Sequence, residues 1–394
     1  MNTNRREFLR AASALSAAAA LMPIARADET GASPRHYRAA VIGRTGGGDY
    51  GHGYDQVFND LANVSVEAVA DPDPEGRQRA AARSGAKQQF ADYRTMLREV
   101  KPDLVSIAPR QPDCHREMAL ASIEVCRGVF MEKPFTETVE DADAILEAAR
   151  ARGVPIHVAH NRRYTAEFVQ AKALLDQGLI GQVRQVEIHG KQDARVGGED
   201  LMVLGVHDFD LMRFYFGDPL WCQASVTQDG RPITRADVGR GREPILIAGS
   251  TIHALFAFPS DLMLHWSSVK RDDGWNTSVG GREKWAIEIL GTKGILAYQS
   301  AVGFVWLDSP FFAHKDQAPV WKPAPEPANW TWPEHARHPI KGLIRAIETG
   351  SPALSSGEDG RWTIEMVAAV YESERTRSRV PFPLADRTNP LMRF

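Results

Sequence analysis

Residues 201–214 read "LMVLGVHDFDLMRF", with His207 followed three positions later by Asp210. An imidazole beside a carboxylate is the composition of a general base with an orienting partner, since imidazole exchanges a proton near neutral pH. At ~100° per residue, Val203, His207 and Asp210 share one face of a helix. A second reactive group is Lys133 in "MEKPF" (131–135), where an ammonium can steady a developing alkoxide or assist proton transfer. A third is the glycine-rich stretch "VIGRTGGGDYGHGYD". Gly43 and Gly48 hold the first and last places of a G-x-G-x-x-G pattern, with Thr45 in the middle place and Gly46 and Gly47 able to supply the close approach in a shifted register. Such a loop lets backbone N–H groups reach a pyrophosphate, and a following helix N-terminus meets its charge. Asp71 closes the next apolar run, where a carboxylate accepts ribose hydroxyls and repels a 2′-phosphate, so the sequence favours NAD over NADP.

The elements that must position these groups alternate from Tyr37 onward. "YRAAVIG", "VSVEAVADPD", "PDLVSIAPR", "RGVFMEKPF" and "GVPIHVAHNRRY" are short continuous apolar runs. Helical segments lie between them, including one expected around Tyr54–Leu61, then "EGRQRAAARSGA", "HREMALASIEVCR" and "VEDADAILEAARARG". That rhythm predicts an α/β fold with a doubly wound parallel sheet over 37–160, covered on both faces. It also places Lys133 at the carboxyl end of a strand, the side on which open sheets bind ligands. After Tyr164 the strand-like segments lengthen and alternate, as in "TIHALFAFPSDLMLHWSSVK", which predicts a second α/β domain over 161–394 with an open, mostly antiparallel sheet. Two segments are expected to line the pocket between them: "GKQDARVGGED", with Lys191, Asp193, Arg195 and Asp200, and "HWSSVKRDDGWNTS", with Trp266, Lys270 and Trp275.

Bulk properties narrow the function. A formal net charge of −3 with scattered Lys and Arg gives nucleic acid no electrostatic support. Cys114, Cys126 and Cys222 form no CxxC and suggest buried thiols in place of a disulfide framework. His157 and His160 form an HxxH, but a strand sends them to opposite faces, so no metal site is expected. There is no GxSxG and no P-loop. Residues 1–27 carry Arg5-Arg6, an Ala-rich stretch and Ala25-Arg26-Ala27, and resemble a twin-arginine export signal; 28–36 read as a polar linker. No later run approaches the ~20 apolar residues of a membrane span.

Taken in order, the glycine loop, "SIAPRQPDCHREMALASIEVCRGVFMEKPF", "HVAHNRRY", "GGEDLMVLGVHDFDLMRF", "IEILGTKG" and "GSPALSSGEDGRWTIEMVAAVYESERT" resemble the Gfo/Idh/MocA oxidoreductases over residues 37–385. The resemblance implies a Rossmann domain, an open-sheet second domain whose closing helices pack back toward it, a sugar or polyol substrate between the two, and a homodimer or homotetramer formed through the sheet. It identifies Lys133 as the lysine of the family's EKP and His207 as its catalytic histidine, with Asp210 at a common acidic position. It places Gly43, Arg44, Thr45, Gly46, Gly48, Asp71, Pro109, His115, Glu132, Lys133, Asn161 and Arg162 at the cofactor. The substrate side comprises Lys133, Lys191, Asp193, Arg195, Asp200, His207 and Trp275. The departure is Val203, where many members carry Asp four residues before the histidine; Asp200 or Asp210 is expected to substitute in part.

A protein exported folded must carry its cofactor out with it, so tightly bound NAD is expected. Two chemistries suit a trapped cofactor: transfer between two sugars, and a transient oxidation that allows elimination of a glycosidic substituent before reversal. A non-catalytic sugar-binding protein is the rival from another class, and retention of both Lys133 and His207 argues against it.

Overall fold

The computed structural model describes residues 35–191, 195–269, 286–299, 302–309 and 321–394. The leader 1–27, Asp193, Lys270 and Trp275 lie outside the described residues.

Six strands form the first sheet: β1 (Tyr37–Ile42), β2 (Val64–Ala70), β3 (Gln88–Phe90), β4 (Leu104–Ile107), β5 (Gly128–Met131) and β6 (Ile156–Val158). All pairings are parallel and the order is β3-β2-β1-β4-β5-β6. β4, β5 and β6 are buried at every position because helices cover both faces, which is why they read as largely apolar runs, interrupted only by the buried Ser106 and His157. Side-chain caps start the flanking helices where the sequence supplies them. Asp73 accepts from Gly76 N ahead of Pro74–Ser84, and Thr138 accepts from Asp141 N ahead of Val139–Arg152.

One expected helix does not form. The stretch Tyr54–Leu61 is a series of tight turns, with Gln56 N donating to Gly53 O and Asn59 N to Gln56 O. Asp60 (φ 65°) is left-handed within the stretch and Gly51 (φ 58°) and Gly53 (φ 82°) just before it, so the backbone follows successive turns there and no regular helix forms.

The second sheet comprises β7 (Val183–His189), β8 (Trp221–Gln228), β9 (Arg231–Pro232), β12 (Thr251–Phe258), β13 (Leu262–Val269), β14 (Ala286–Gly291), β15 (Ile295–Gln299), β16 (Gly303–Leu307), β17 (Lys322–Pro323) and β18 (Val380–Pro381); β10 (Gly239–Arg240) and β11 (Leu246–Ile247) make a separate small hairpin. Among the described residues its pairings are antiparallel except β7 with β13. One face packs Trp266, Phe256 and Ile287 into the core, while Leu255, His253 and His265 stand on the other.

Two helices close the molecule. Pro339–Thr349 returns to the parallel sheet, where Ile340 and Leu343 join Leu104 and Phe130 in one cluster. Gly128 makes this possible, because a Cβ there would lie 2.8 Å from Ile347 Cδ1. Gly357–Thr376 begins with a Ser356–Asp359 capping box and buries Ile364, Met366 and Val370 in the core shared with Phe209 and Trp266.

Candidate active site

The glycine loop folds back on the carboxyl edge of the parallel sheet. Gly43 N donates to Ala70 O at 2.8 Å, and a Cβ on Gly43 would run into the Tyr50 ring. Gly48 (φ 93°) lies so close to the loop after β4 that a Cβ would be 2.5 Å from the amide nitrogens of Arg110 and Gln111. Asp71 is fully buried and its carboxylate accepts from Thr45 N (3.0 Å), Thr45 Oγ1 (2.7 Å) and Asp73 N (3.0 Å). Asp71 and Thr45, both expected at the cofactor, therefore brace each other here. Gly46 N donates to Asp49 Oδ1, and Arg44 pairs with Asp113 at 2.8 Å. Gly43, Arg44, Asp71 and Tyr93 line a cleft of about 260 Å³.

This edge fits a dinucleotide. The strand order and the crevice beside β1 and β4 are those of the doubly wound nucleotide-binding sheet, and Gly48 keeps a backbone cradle open that any side chain would fill. The difference from expectation is that turns replace the helix after the loop. Loop N–H groups and Arg44, with no helix terminus behind them, would meet the pyrophosphate charge.

His115, expected in contact with the cofactor, has both ring nitrogens against backbone carbonyls. The ring is fully buried, with Nε2 2.7 Å from Pro109 O and Nδ1 3.0 Å from Phe135 O. It ties the loop after β4 to the segment after β5 and so shapes Pro109's backbone. Glu132 is also buried; Oε2 accepts from Lys133 N at 2.7 Å and Oε1 pairs with His52 Nδ1 from the glycine loop.

Lys133 is buried at the end of β5, followed by a cis peptide to Pro134. Its Nζ donates to the carbonyl of Val203 at 3.3 Å. Leu201–Gly205 form a π-helical turn that leads into the helix Val206–Phe216. The turn alters the spacing between Val203 and His207 that a regular helix would give. Val203's apolar side chain is buried, so at the position where the resemblance implies a carboxylate, the lysine meets a backbone oxygen instead. Burial pushes the Lys133 ammonium's pKa down, while Glu132 and Glu243 oppose the shift.

His207 follows that turn, with Nδ1 buried and unpartnered. Burial, then the positive charges of Lys133 and Arg162 and the neighbouring His160, hold its pKa well below 6.5 despite Asp210. The ring is a neutral imidazole at neutral pH, able to accept a proton.

Asp210 does not orient His207 directly, contrary to the reading from helical spacing. Its two oxygens each accept from Arg163 Nε at 2.9 Å, and Oδ1 lies 3.3 Å from His160 Nδ1. Both partners come from the segment after β6, which outcompetes the neighbour on Asp210's own helix. Arg162, expected beside the cofactor, donates to Asp208 Oδ1 at 2.6 Å and stacks over Phe168, while Asp208 Oδ2 accepts from Trp266 Nε1 at 2.9 Å. Asn161 is exposed at the start of the same turn. Asp200 is buried and committed to Ser268 Oγ (2.7 Å) and Lys191 N (3.3 Å), so it fixes the entry to the helix and does not stand in for Val203's missing carboxylate. Arg195 is half-buried and its charge reaches Lys133.

Sequence reasoning missed His160, the Arg162–Asp208 and Arg163–Asp210 pairs, and the Arg110–Glu243 contact at 3.3 Å. Two arginines in "HNRRY" and two aspartates in "HDFD" were the available signal for the first pairs. The Glu243 loop carried none.

His157 shows how the same segment limits acid stability. It is fully buried against Phe130, and neither ring nitrogen has a partner. Burial pushes its pKa down to about 3. The unfolded chain then binds more protons below about pH 6.5, so stability is full above that pH and falls as pH drops toward 3. His157→Leu is expected to flatten the slope of unfolding free energy against pH in that window, read by urea denaturation at stepped pH; an unchanged slope contradicts the assignment.

Comparison with known proteins places these features in a family. The model described as an oxidoreductase family NAD-binding Rossmann fold matches residues 37–160, and that of the oxidoreductase family C-terminal alpha/beta domain matches 172–382. The chain is 24% identical over 363 residues to a D-apiose dehydrogenase of Paraburkholderia graminis, covering 86% of this chain and 88% of that protein. It is 21% identical over 356 residues to a myo-inositol 2-dehydrogenase of Thermotoga maritima, covering 86% and 97%. A levoglucosan dehydrogenase solved with NADH and levoglucosan superposes with a TM-score of 0.68 at 19% identity, over 89% of this chain and all of that one. Two matched domains in order, on a parallel nucleotide-binding sheet joined to an open sheet, make the chain a member of the Gfo/Idh/MocA oxidoreductase family.

Proposed function

We propose that this oxidoreductase acts on a hydroxyl of a sugar, polyol or glycoside, with His207 as general base and Lys133 steadying the alkoxide. The observation that carries the reading is the 3.3 Å contact of Lys133 Nζ with the Val203 carbonyl. It brings the lysine from the end of β5 against the turn that opens into His207, so one substrate hydroxyl can meet ammonium and imidazole together. NAD, when bound, supplies the hydride acceptor. Gly43, Arg44, Gly46 and Gly48 would hold its pyrophosphate, Thr45 and Asp71 the ribose, and Glu132 with Lys133 the nicotinamide end. The buried Asp71 carboxylate lining the cleft supports NAD over NADP. Relatives named for dehydrogenation of apiose and inositol support a carbohydrate substrate. The twin arginines support export with the cofactor already seated, and the outer face of the second sheet, bearing Leu255, is where a second copy would pack.

Val203 favours a second reading, in which oxidation is transient and the net reaction is cleavage of a glycoside. With a carbonyl in place of a carboxylate, Lys133 keeps a neutral partner, and the constellation departs from the one the dehydrogenases are expected to share.

The experiment is to denature the purified mature protein and assay the supernatant for NAD(H). About one cofactor per chain is expected. A cofactor-free protein that also fails to bind added NAD would contradict the proposal and favour a non-catalytic sugar-binding protein.

A further inference from the structure

We infer that His160 receives the proton that His207 takes from substrate, so that His207, His160 and Asp210 form a relay anchored on Arg163. The inference rests on the proposed role of His207 as base.

The geometry starts with two orphaned atoms. His207 Nδ1 and His160 Nε2 are both buried and both without a partner. The two rings are neighbours, edge to face, with centroids 6.0 Å apart and planes at 80°. Each unpartnered buried nitrogen carries an uncompensated desolvation cost, recovered if a ring rotation lets them pair during turnover. His160's other nitrogen is already fixed: Nδ1 faces Asp210 Oδ1 at 3.3 Å and Ser355 Oγ at 3.1 Å. Behind it, Arg163 grips both Asp210 oxygens and also reaches Asp359, which in turn holds Arg213. The end of the chain is rigid and its charges are balanced.

Electrostatics gives the direction. Lys133 and Arg162 face His207, so an imidazolium there stands among positive charges; Asp210 raises its proton affinity but touches His160 instead. His160 is faced by the Asp210 carboxylate, the Ser355 hydroxyl and His207, with buried His157 and Arg163 farther back. A proton moved from His207 to His160 therefore leaves a crowd of cations for the side of an anion. The transfer balances within the chain. The substrate hydroxyl proton goes to His207 Nε2, the proton on His207 Nδ1 passes to His160 Nε2, and His160 keeps its Nδ1 proton toward Asp210. The electron pair of the substrate C–H bond leaves with the hydride, as in the proposed reaction. Reversal of the oxidation would draw the same proton back.

The test uses the cofactor-loaded protein, the sugar it turns over fastest from a panel, and mixtures of H2O and D2O. The wild type is expected to give a bowed proton inventory, because two protons move together. His160→Gln is expected to lower kcat by about 10²-fold with KM nearly unchanged, and to make the inventory linear. In the same variant labelled with [15N]histidine, the His207 titration is expected to move up, since His160 is one of the groups holding it down. That readout needs no substrate. A His160→Gln protein with wild-type kcat and a bowed inventory would overturn the relay, as would an unmoved His207 titration. Failure of the underlying reading looks different: His207→Ala itself would then turn over normally.

Discussion

His207→Ala is expected to lower kcat by about 10²–10⁴-fold while KM and the unfolding midpoint stay close to wild type. The size follows from the role: a positioned base that removes a hydroxyl proton as the oxidation proceeds is replaced by a methyl group. The sparing of stability follows from the contacts. His207 Nδ1 holds no hydrogen bond to lose, and the ring is not fully enclosed. The pH profile supplies an independent sign. A base must be neutral to act, and His207's pKa lies well below 6.5, so protonation of His207 itself is not expected to limit the wild type as pH falls through 6.5. Steady-state kinetics of both proteins over pH checks this. Turnover of His207→Ala within tenfold of wild type would remove the residue from the chemistry.

Asp210→Ala is expected to give the largest loss of stability, about 3 kcal/mol or more, measured by urea denaturation. The carboxylate is fully buried and satisfies Arg163 Nε and His160 Nδ1. Removing it strands most of a buried guanidinium, and Asp359, 3.0 Å from Arg163 Nη2, offsets only part of that. Burial alone would raise the Asp210 pKa, but Arg163 beside it, with His160, wins and holds the carboxyl well below the usual carboxylate range. The unfolded state therefore binds the extra proton: this stability is full above about pH 3.9 and is lost as pH falls below it. Asp210→Asn, which keeps an oxygen toward Arg163, is expected to lose less than Asp210→Ala. A loss below about 1 kcal/mol in the alanine variant would contradict the network.

The parallel sheet was legible because strands such as β4 and β5 are buried at every position and so spell short, largely apolar runs between helices. The positions of Lys133, His207 and the glycine loop were legible for a related reason: they sit at strand and helix ends, which the apolar rhythm of the sequence locates. The missing helix after the loop had its sequence cue in Gly51 and Gly53, which permit left-handed turns just before it, but apolar spacing in "YDQVFNDL" pointed the other way. Spacing also misassigned Asp210. It reports which residues share a helical face, not which arginine or histidine from another element reaches that face first. Val203 is the clearest case, because its contribution is a carbonyl oxygen in a π-helical turn, and no side-chain pattern records that.

The most direct test of the account is a single-turnover experiment on the purified, cofactor-loaded protein, with no NAD added. The protein is mixed with a panel of sugars and glycosides while the near-ultraviolet band of reduced nicotinamide is followed. At least one member is expected to reduce the resident cofactor in wild type, and His207→Ala to do so at least about 10²-fold more slowly. A wild-type protein that holds NAD yet shows neither reduction nor altered sugar with any member would contradict the account.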